Sequence, residues 1–164
     1  MHKAVKIQAG FTLVEILVAV SIFGLAFTGI AAVVNTVVNS AALIQNNYIA
    51  SGLAQEAIEL TRNLRDNDWH AGLAWGSSLP DGTRSLQYNS LSLGGNQANY
   101  LKKDANGLYQ YDSGTDTGFK RSVLISTPTD QGGKEKKLEV TITWMERRVA
   151  KTLTVEDHLF NWNQ

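Results

Sequence analysis

Cysteine is absent from the 164-residue chain, and proline occurs only twice. Without cysteine the protein has no disulfide, no thiol nucleophile and no thiolate metal site. Because the first proline is Pro80, no proline kinks a helix before that position. The three histidines, His2, His70 and His158, are far apart, and none has a metal-ligand partner at the i+3 or i+4 spacing typical of imidazole sites. We therefore expect no cofactor and no metal centre.

An excess of charge of either sign is also missing, since 15 basic and 15 acidic residues cancel. The one basic cluster in the sequence is Lys134-Glu135-Lys136-Lys137, with Lys120 and Arg121 a short distance before it. A surface that binds nucleic acid is usually strongly basic, whereas a glutamate interrupts this cluster. We interpret the cluster as a solvated turn and do not expect nucleic acid as a partner.

Motifs for catalysis and ion binding are incomplete. The serines have no histidine and aspartate partners in the pattern of a nucleophilic triad. Gly132-Gly133-Lys134 lacks the glycine spacing and the Ser or Thr of a phosphate-binding loop. Asp112-Ser113-Gly114-Thr115-Asp116 is rich in oxygen ligands but lacks the bidentate acid and the spacing of an EF-hand loop. We interpret this segment as a polar turn and predict that the chain is not an enzyme.

The chain does have an apolar run near its amino terminus, and this run contains one acid. It extends from Phe11 to Val34, with Glu15 as its only charged residue. As an α-helix this run is about 36 Å long, which is enough to cross a bilayer core. Lys3 and Lys6 precede it, whereas the far side has no positive charge until Arg62. This asymmetry predicts a cytoplasmic leader and a carboxyl-terminal domain on the other side of the membrane.

Two ordinary kinds of membrane signal explain this segment less well. A cleaved secretory signal has an apolar region of about 7–15 residues followed by a small-residue cleavage site. The run in this chain is longer, although Asn39-Ser40-Ala41 has the composition of such a site. An uncleaved signal anchor fits the length of the run but gives no reason for Glu15. A carboxylate within a bilayer costs about 3 kcal/mol on insertion scales, so it normally has a function and a partner.

The segment Gly10-Phe11-Thr12-Leu13-Val14-Glu15, with its basic leader and the apolar run behind it, resembles the processing site of type IV pilins and type II secretion pseudopilins. The resemblance implies that a prepilin peptidase cuts after Gly10 and methylates the new amino terminus at Phe11. It also implies that Glu15 pairs with the terminal amine of a neighbouring subunit during assembly. An alternative remains open, in which Glu15 neutralises the amine of its own chain at the i,i+4 spacing.

Beyond the apolar run, the helix is predicted to continue with one apolar face that packs on a sheet. Five residues recur at the helical spacing and define this face: Ile49, Leu53, Ala57, Leu60 and Leu64. Glu59 and Arg62 are predicted to form an exposed i,i+3 pair. Asp66-Asn67-Asp68 is a predicted helix stop, because short polar side chains compete for backbone hydrogen bonds.

Strands are predicted in the carboxyl-terminal half. Two alternating segments read as a hairpin with a Glu146-Arg147 connection, and the buried face of its first strand is predicted to be Leu138, Val140, Ile142 and Trp144. A third strand is predicted over 119–126. A shorter hairpin is predicted to join 100–102 to 108–111 through Asn106-Gly107, because Asn-Gly accepts positive φ. A further strand is predicted around Leu86 and Tyr88.

These elements predict an α+β fold of the pilin type, in which a long N-terminal α-helix packs on a C-terminal antiparallel β-sheet. The predicted parts are a leader over 1–10, a transmembrane and assembly half of the helix over 11–34, an amphipathic half over 35–68 and a globular β domain over 69–164. The helix sequence 53–59 and the tryptophan-containing hairpin resemble those of minor pilins and minor pseudopilins.

The function that the resemblance implies is a structural subunit of a type IV pilus or related fibre. Its expected partners are a prepilin peptidase, other pilin subunits, the cytoplasmic membrane and an inner-membrane assembly platform. We expect a single-pass cytoplasmic membrane protein with its carboxyl-terminal domain outside, which then enters an extracellular pilus or a periplasmic pseudopilus. Two alternatives stay open: a minor pseudopilin of a type II secretion system, and an adhesin or receptor domain on a simple membrane anchor.

Overall fold

The computed structural model describes residues 10–95 and 98–161, so the predicted leader, apart from Gly10, lies outside the described residues. One helix, α1 (Leu13–His70), precedes all the strands that are described. The strands are β1 (Gly82–Arg84), β2 (Lys102–Lys103), β3 (Tyr109–Gln110), β4 (Thr115–Asp116), β5 (Phe119–Ser126), β6 (Glu135–Glu146) and β7 (Val149–Phe160). A single 3-10 turn, Thr129–Gln131, lies between β5 and β6.

The strands form two antiparallel sheets. The larger sheet has the order β1-β5-β6-β7, and in the smaller sheet β2 lies between β3 and β4. The predicted strand over 119–126 is confirmed at both ends as β5, and the predicted carboxyl-terminal hairpin is confirmed as β6 and β7. The α+β prediction, a long N-terminal helix packed on an antiparallel sheet, is therefore confirmed.

The turn of the β6–β7 hairpin differs from the prediction. It consists of Arg147 and Arg148 rather than Glu146 and Arg147, since Glu146 pairs with Val149 across the hairpin. Both arginines have left-handed backbone, with φ of 48° and 68°. Such a turn matches the twist of the strands, but Asn-Gly usually occupies it because left-handed backbone costs most residues other than Gly, Asn and Asp about 1 kcal/mol or more. Arg-Arg is therefore not a turn signal that the sequence analysis could use.

The chain divides into two compact units, one ending at Ile44 and the other beginning at Gln45. Every residue that the structure describes in the first unit is exposed, and from Leu13 onward all of them belong to α1. By length and composition this part of the helix is sufficient to cross a membrane, and it fits a membrane anchor. Large apolar side chains such as Phe11, Leu25 and Phe27 are at least three-quarters exposed.

In the second unit the core lies between α1 and the larger sheet. The predicted face of the helix is confirmed, since Leu53, Ala57 and Leu64 are buried, while Ile49 and Leu60 are partly buried against the core. The predicted face of β6 is confirmed at all four positions, and β5 and β7 complete the core with Phe119, Val123, Ile125 and Leu159. Burying one large apolar side chain contributes about 1.5–3 kcal/mol, so this layer supplies most of the stability of the unit.

The predicted helix stop at Asp66-Asn67-Asp68 is wrong, because α1 continues to His70. The reason lies in Asp68, whose side chain is buried. Its carboxylate accepts hydrogen bonds from the backbone N–H of Ser78 at 2.8 Å and from the Ser78 hydroxyl at 2.6 Å. Since the following loop satisfies this polar group, Asp68 does not compete with the helix backbone.

The smaller predicted elements are confirmed in part. The short hairpin is present as β2 and β3, and Gly107 in its turn has a φ of 88° that glycine adopts without strain. The strand predicted within 82–93 is present as β1, but its position around Leu86 and Tyr88 is wrong, because β1 ends at Arg84. Leu86 is only 1% exposed, so its apolar character reflects burial in the core rather than membership of a strand.

The helix–sheet packing predicts a large effect of Leu53→Ala. Leu53 is 2% exposed, so truncation leaves a cavity and lowers the free energy of unfolding by about 2–5 kcal/mol. Leu91→Ala is the matched control, because Leu91 is 91% exposed and its loss changes stability by less than about 0.5 kcal/mol. Urea unfolding of the full chain in detergent micelles measures both. Equal midpoints for the two variants would contradict this packing.

Candidate functional site

The amino-terminal site is formed by the residues directly before α1 and by the first turn of this helix. Gly10, Phe11 and Thr12 precede the helix, and all three are exposed. The peptide bond between Gly10 and Phe11 therefore lies in non-helical backbone. A methyl group added at Gly10 meets no atom within 4 Å, so packing within the described part of the chain does not require glycine at this position.

Thr12 caps the helix. Its side-chain Oγ1 accepts a hydrogen bond from the backbone N–H of Glu15 at 3.2 Å, and its carbonyl accepts one from the N–H of Ile16 at the same distance. Threonine is a preferred residue at this position because its hydroxyl satisfies an N–H that has no partner within the helix. The sequence Thr12-Leu13-Val14-Glu15 has the spacing of a capping box, a signal that our sequence analysis did not use.

Glu15 lies in this first turn, where the partial positive charge of the helix terminus favours a carboxylate. Its side chain is exposed, and within residues 10–95 and 98–161 no cation lies at ion-pair distance from it. The neighbouring side chains of Leu13, Val14 and Ile16 are also exposed. The site thus presents one acid within an apolar surface, directly after an accessible peptide bond.

The interpretation of the basic cluster as a solvated turn is wrong, because 135–137 belong to β6 and Lys120 and Arg121 belong to β5. Arg121 is 1% exposed and Glu135 is 6% exposed, so both belong to the interior. Lys136 forms an ion pair with Asp81 at 2.8 Å, and its hydrogen bond holds the pKa of that carboxyl below its usual range. Lys137 forms an ion pair with Glu156 at 2.6 Å. These contacts leave no uniform basic surface at this position.

Arg121 joins three parts of the second unit. Its Nη1 donates to the carbonyl of Leu53 in α1 at 3.1 Å, and its Nη2 donates to the carbonyl of Leu86 at 2.5 Å. Its Nη1 also lies 3.4 Å from the carboxylate of Glu56.

Burial raises the pKa of Tyr111, whose hydroxyl donates to the Arg121 carbonyl. The alternation of β5 was the signal for this role, because it places Arg121 on the same face as the buried Phe119 and Val123.

His158 occupies a second polar cluster that sequence reasoning missed. Its Nδ1 contacts the carboxylate of Glu135, and its Nε2 lies 2.8 Å from the carboxylate of Glu156. These hydrogen bonds, that of Glu135 first, raise the pKa of His158 above its ordinary value. No sequence spacing indicates this arrangement, because Glu135 comes from β6 and reaches His158 only across the hairpin.

The segment 112–116, predicted to be a polar turn, ends in a strand, because Thr115–Asp116 form β4. Asp112 accepts a hydrogen bond from the Gln87 side chain at 2.8 Å, and Asp116 belongs to β4. Within the part of the chain that the structure describes, no group of three His, Cys, Asp or Glu side chains is arranged to hold a metal ion.

The fold and the amino-terminal site together define a class of protein. An exposed apolar helix continues into a unit in which the same helix packs on an antiparallel sheet, which is a pilin-like arrangement. Residues 5–31 match the family model described as the prokaryotic N-terminal methylation motif, and the chain therefore carries the signature of type IV pilins and pseudopilins. This motif points to a structural subunit rather than an enzyme. No curated protein and no solved structure matches the chain.

The His158 cluster predicts that the stability of the second unit falls as pH rises. A pKa that is higher in the folded than in the unfolded state stabilises the fold fully below about pH 6.5, and this contribution is lost as pH rises through the folded-state pKa. The groups that face His158 are Glu135 and Glu156, and Lys137 pairs with the latter. The pKa of Glu156 is lowered, so its own contribution is lost only under acidic conditions.

Urea unfolding of the full chain in micelles on both sides of neutral pH measures this dependence. We expect His158→Gln to remove the fall in stability above about pH 6.5, because the imidazolium is the group that titrates. His70→Gln is the control, since it removes an exposed histidine outside the cluster. A pH dependence that persists in His158→Gln would contradict the assignment.

Proposed function

We propose that the chain is the precursor of a type IV pilin-like fibre subunit, cut between Gly10 and Phe11, methylated on the amine of Phe11 and polymerised through the exposed part of α1. The observation that carries this proposal is the methylation motif over 5–31 together with a single acid in an exposed apolar helix. Accessible non-helical backbone at Gly10 and Phe11 supports cleavage there, because a peptidase needs extended substrate.

In this proposal Glu15 gives assembly its direction. Apolar helices associate in a membrane with little hydrophobic gain, because lipid tails are as apolar as the side chains that replace them. A carboxylate differs in this respect, since an unpaired charge in an apolar environment costs several kcal/mol and an opposite charge beside it offsets much of that cost. The amine that cleavage creates at Phe11 is a cation, and methylation preserves its charge. We infer that the amine of one subunit pairs with Glu15 of the next.

The local alternative, in which Glu15 neutralises the amine of its own chain, is less well supported by the geometry. The i,i+4 pairing of side chains depends on both residues lying on the helix surface. Phe11 precedes the Thr12 cap and has non-helical backbone, so it does not lie on the helix surface at the i,i+4 spacing from Glu15. The amine of a neighbouring copy can approach Glu15 without this requirement, because its position is not set by the spacing within one helix.

We propose the same division of the chain as the sequence predicted: leader 1–10, assembly half 11–34, amphipathic half 35–68 and globular domain 69–164. Lys3 and Lys6 in the leader favour its retention in the cytoplasm, which sends the globular domain outside. A prepilin peptidase and an inner-membrane assembly platform are the partners that this route requires. Resemblance in the carboxyl-terminal hairpin favours a minor subunit.

Gly10→Val is predicted to block processing. Since a side chain at this position meets nothing in the described residues, the variant folds normally, and any loss of cleavage reflects the active site of the peptidase. Intact mass spectrometry of membranes from cells with an active prepilin peptidase measures the outcome. The unsubstituted chain is expected to begin at N-methylated Phe11, and the variant to retain its leader. Efficient cleavage of the variant at the same bond would contradict the role of Gly10.

Glu15→Ala is predicted to be processed normally but excluded from fibres, because the carboxylate that pairs with the neighbouring amine is absent. Glu59→Ala is the matched control, since Glu59 is an exposed glutamate of the same helix with its side chain 74% accessible. The amount of each protein in sheared fibres, relative to the processed protein in membranes, is the measurement. Normal incorporation of Glu15→Ala would remove the assembly role.

A further inference from the structure

One end of the larger sheet carries two neighbouring hollows that the fibre function does not use. The smaller, of about 190 Å³, is lined by Tyr100, Lys120, Trp144, Met145 and other residues. The larger, of about 400 Å³, is lined by Asn99, Tyr100, Lys102, Tyr111, Asp116 and Lys120, among others. Its volume lies in the range of small-molecule sites, about 300–1,000 Å³. Tyr100 and Lys120 belong to both hollows, so the two form one continuous surface.

The ridge between the hollows is pre-organised. The ammonium of Lys120 lies over the ring of Tyr100, 4.6 Å from its centroid, which holds the long lysine side chain in place through a cation–π interaction. A backbone hydrogen bond between their chain neighbours, from Leu101 to the carbonyl of Phe119 at 2.7 Å, joins the two segments that carry these residues. A cation that is already ordered loses less entropy when it binds an anion.

The polar groups around this ridge match an acidic sugar. Lys120 and Lys102 supply cations for a carboxylate, while Asp116 and Asn99 supply the acceptors and donors that hydroxyl groups need. The face of an aromatic ring, such as that of Tyr100, carries partial negative charge and attracts the C–H groups of a sugar ring.

From this arrangement we propose that the surface around Tyr100 and Lys120 binds a carboxylate-bearing carbohydrate. Nucleic acid fits it less well, because Lys102 and Lys120 are the two cations that line the hollows, whereas nucleic-acid binding usually depends on many cations. Arg147 and Arg148, exposed in the turn that follows Glu146, add positive potential beside the hollows and attract an anion. The proposal does not depend on fibre assembly, since all of these residues belong to the second unit.

Calorimetric titration of the full chain in micelles of a polyoxyethylene detergent, which contains no sugar, tests the proposal. The probes are tetragalacturonate, its methyl ester, sialyllactose and a thymidine dodecanucleotide, each at up to millimolar concentration. We expect saturable binding of at least one of the two acidic sugars, and no binding of the neutral ester. Lys120→Gln is expected to weaken the binding by about tenfold or more, because it removes the ordered cation.

Lys134→Gln is the matched control, since Lys134 is an exposed lysine outside both hollows, and it is expected to leave the affinity unchanged. Lys102→Gln provides a second variant in the lining of the larger hollow and is expected to weaken binding as well. The circular dichroism spectrum of each variant confirms that it is folded. Absence of saturable binding to both acidic sugars, equal affinity of Lys120→Gln and the unsubstituted chain, or tighter binding of the dodecanucleotide would each overturn the proposal.

Discussion

A carboxylate in the first turn of an apolar helix has few stable environments, and the proposed processing and assembly of this protein follow from that constraint. In water Glu15 is solvated, but the apolar side chains around it are not compatible with water. In lipid the side chains are satisfied, but the carboxylate needs a partner. A bundle of such helices satisfies both the apolar side chains and the carboxylate, provided that each Glu15 contacts a cation. The helix terminus, capped by Thr12, already stabilises the charge locally and keeps it at a fixed position for that partner.

The second unit meets a different requirement, which is to hold the outer part of the same helix on a sheet without a disulfide. Apolar packing around Leu53 supplies most of the stability, and Arg121 supplies the orientation. A buried guanidinium is costly unless its hydrogen bonds are made, and the contacts of Arg121 Nη1 with the Leu53 carbonyl and Glu56 depend on this placement of the helix. Removing one partner of such a group typically costs about 3–5 kcal/mol, which restricts alternative packings.

Much of the fold was predictable because it depends on local periodicity. The spacing of Leu53 and Leu64 and the alternation in β5 and β6 each reflect one face of one element, and a single segment of sequence contains that information. The helix end at His70, the burial of Arg121 and the pairing of Glu135 with His158 depend on residues distant in the chain. Their side chains are polar, and only the tertiary partner decides whether a polar side chain is buried or solvated. In the amino-terminal site, the spacing of Thr12 and Glu15 in the sequence already indicated the helix cap and was overlooked, and the roles of Gly10, Phe11 and Glu15 stay predictions.

The central claim is that the amine of Phe11 in one subunit contacts Glu15 in another, and solid-state NMR measures this contact directly. Fibres assembled from a mixture of chains, one population with ¹⁵N-phenylalanine and the other with ¹³C-glutamate, contain such a spin pair only between different copies. We predict dipolar dephasing of the terminal amine resonance by the Glu15 carboxyl carbon, at a separation of about 4 Å or less, typical of an ion pair. Dephasing that occurs only when both labels are in the same chain, or that is absent altogether, would contradict the account.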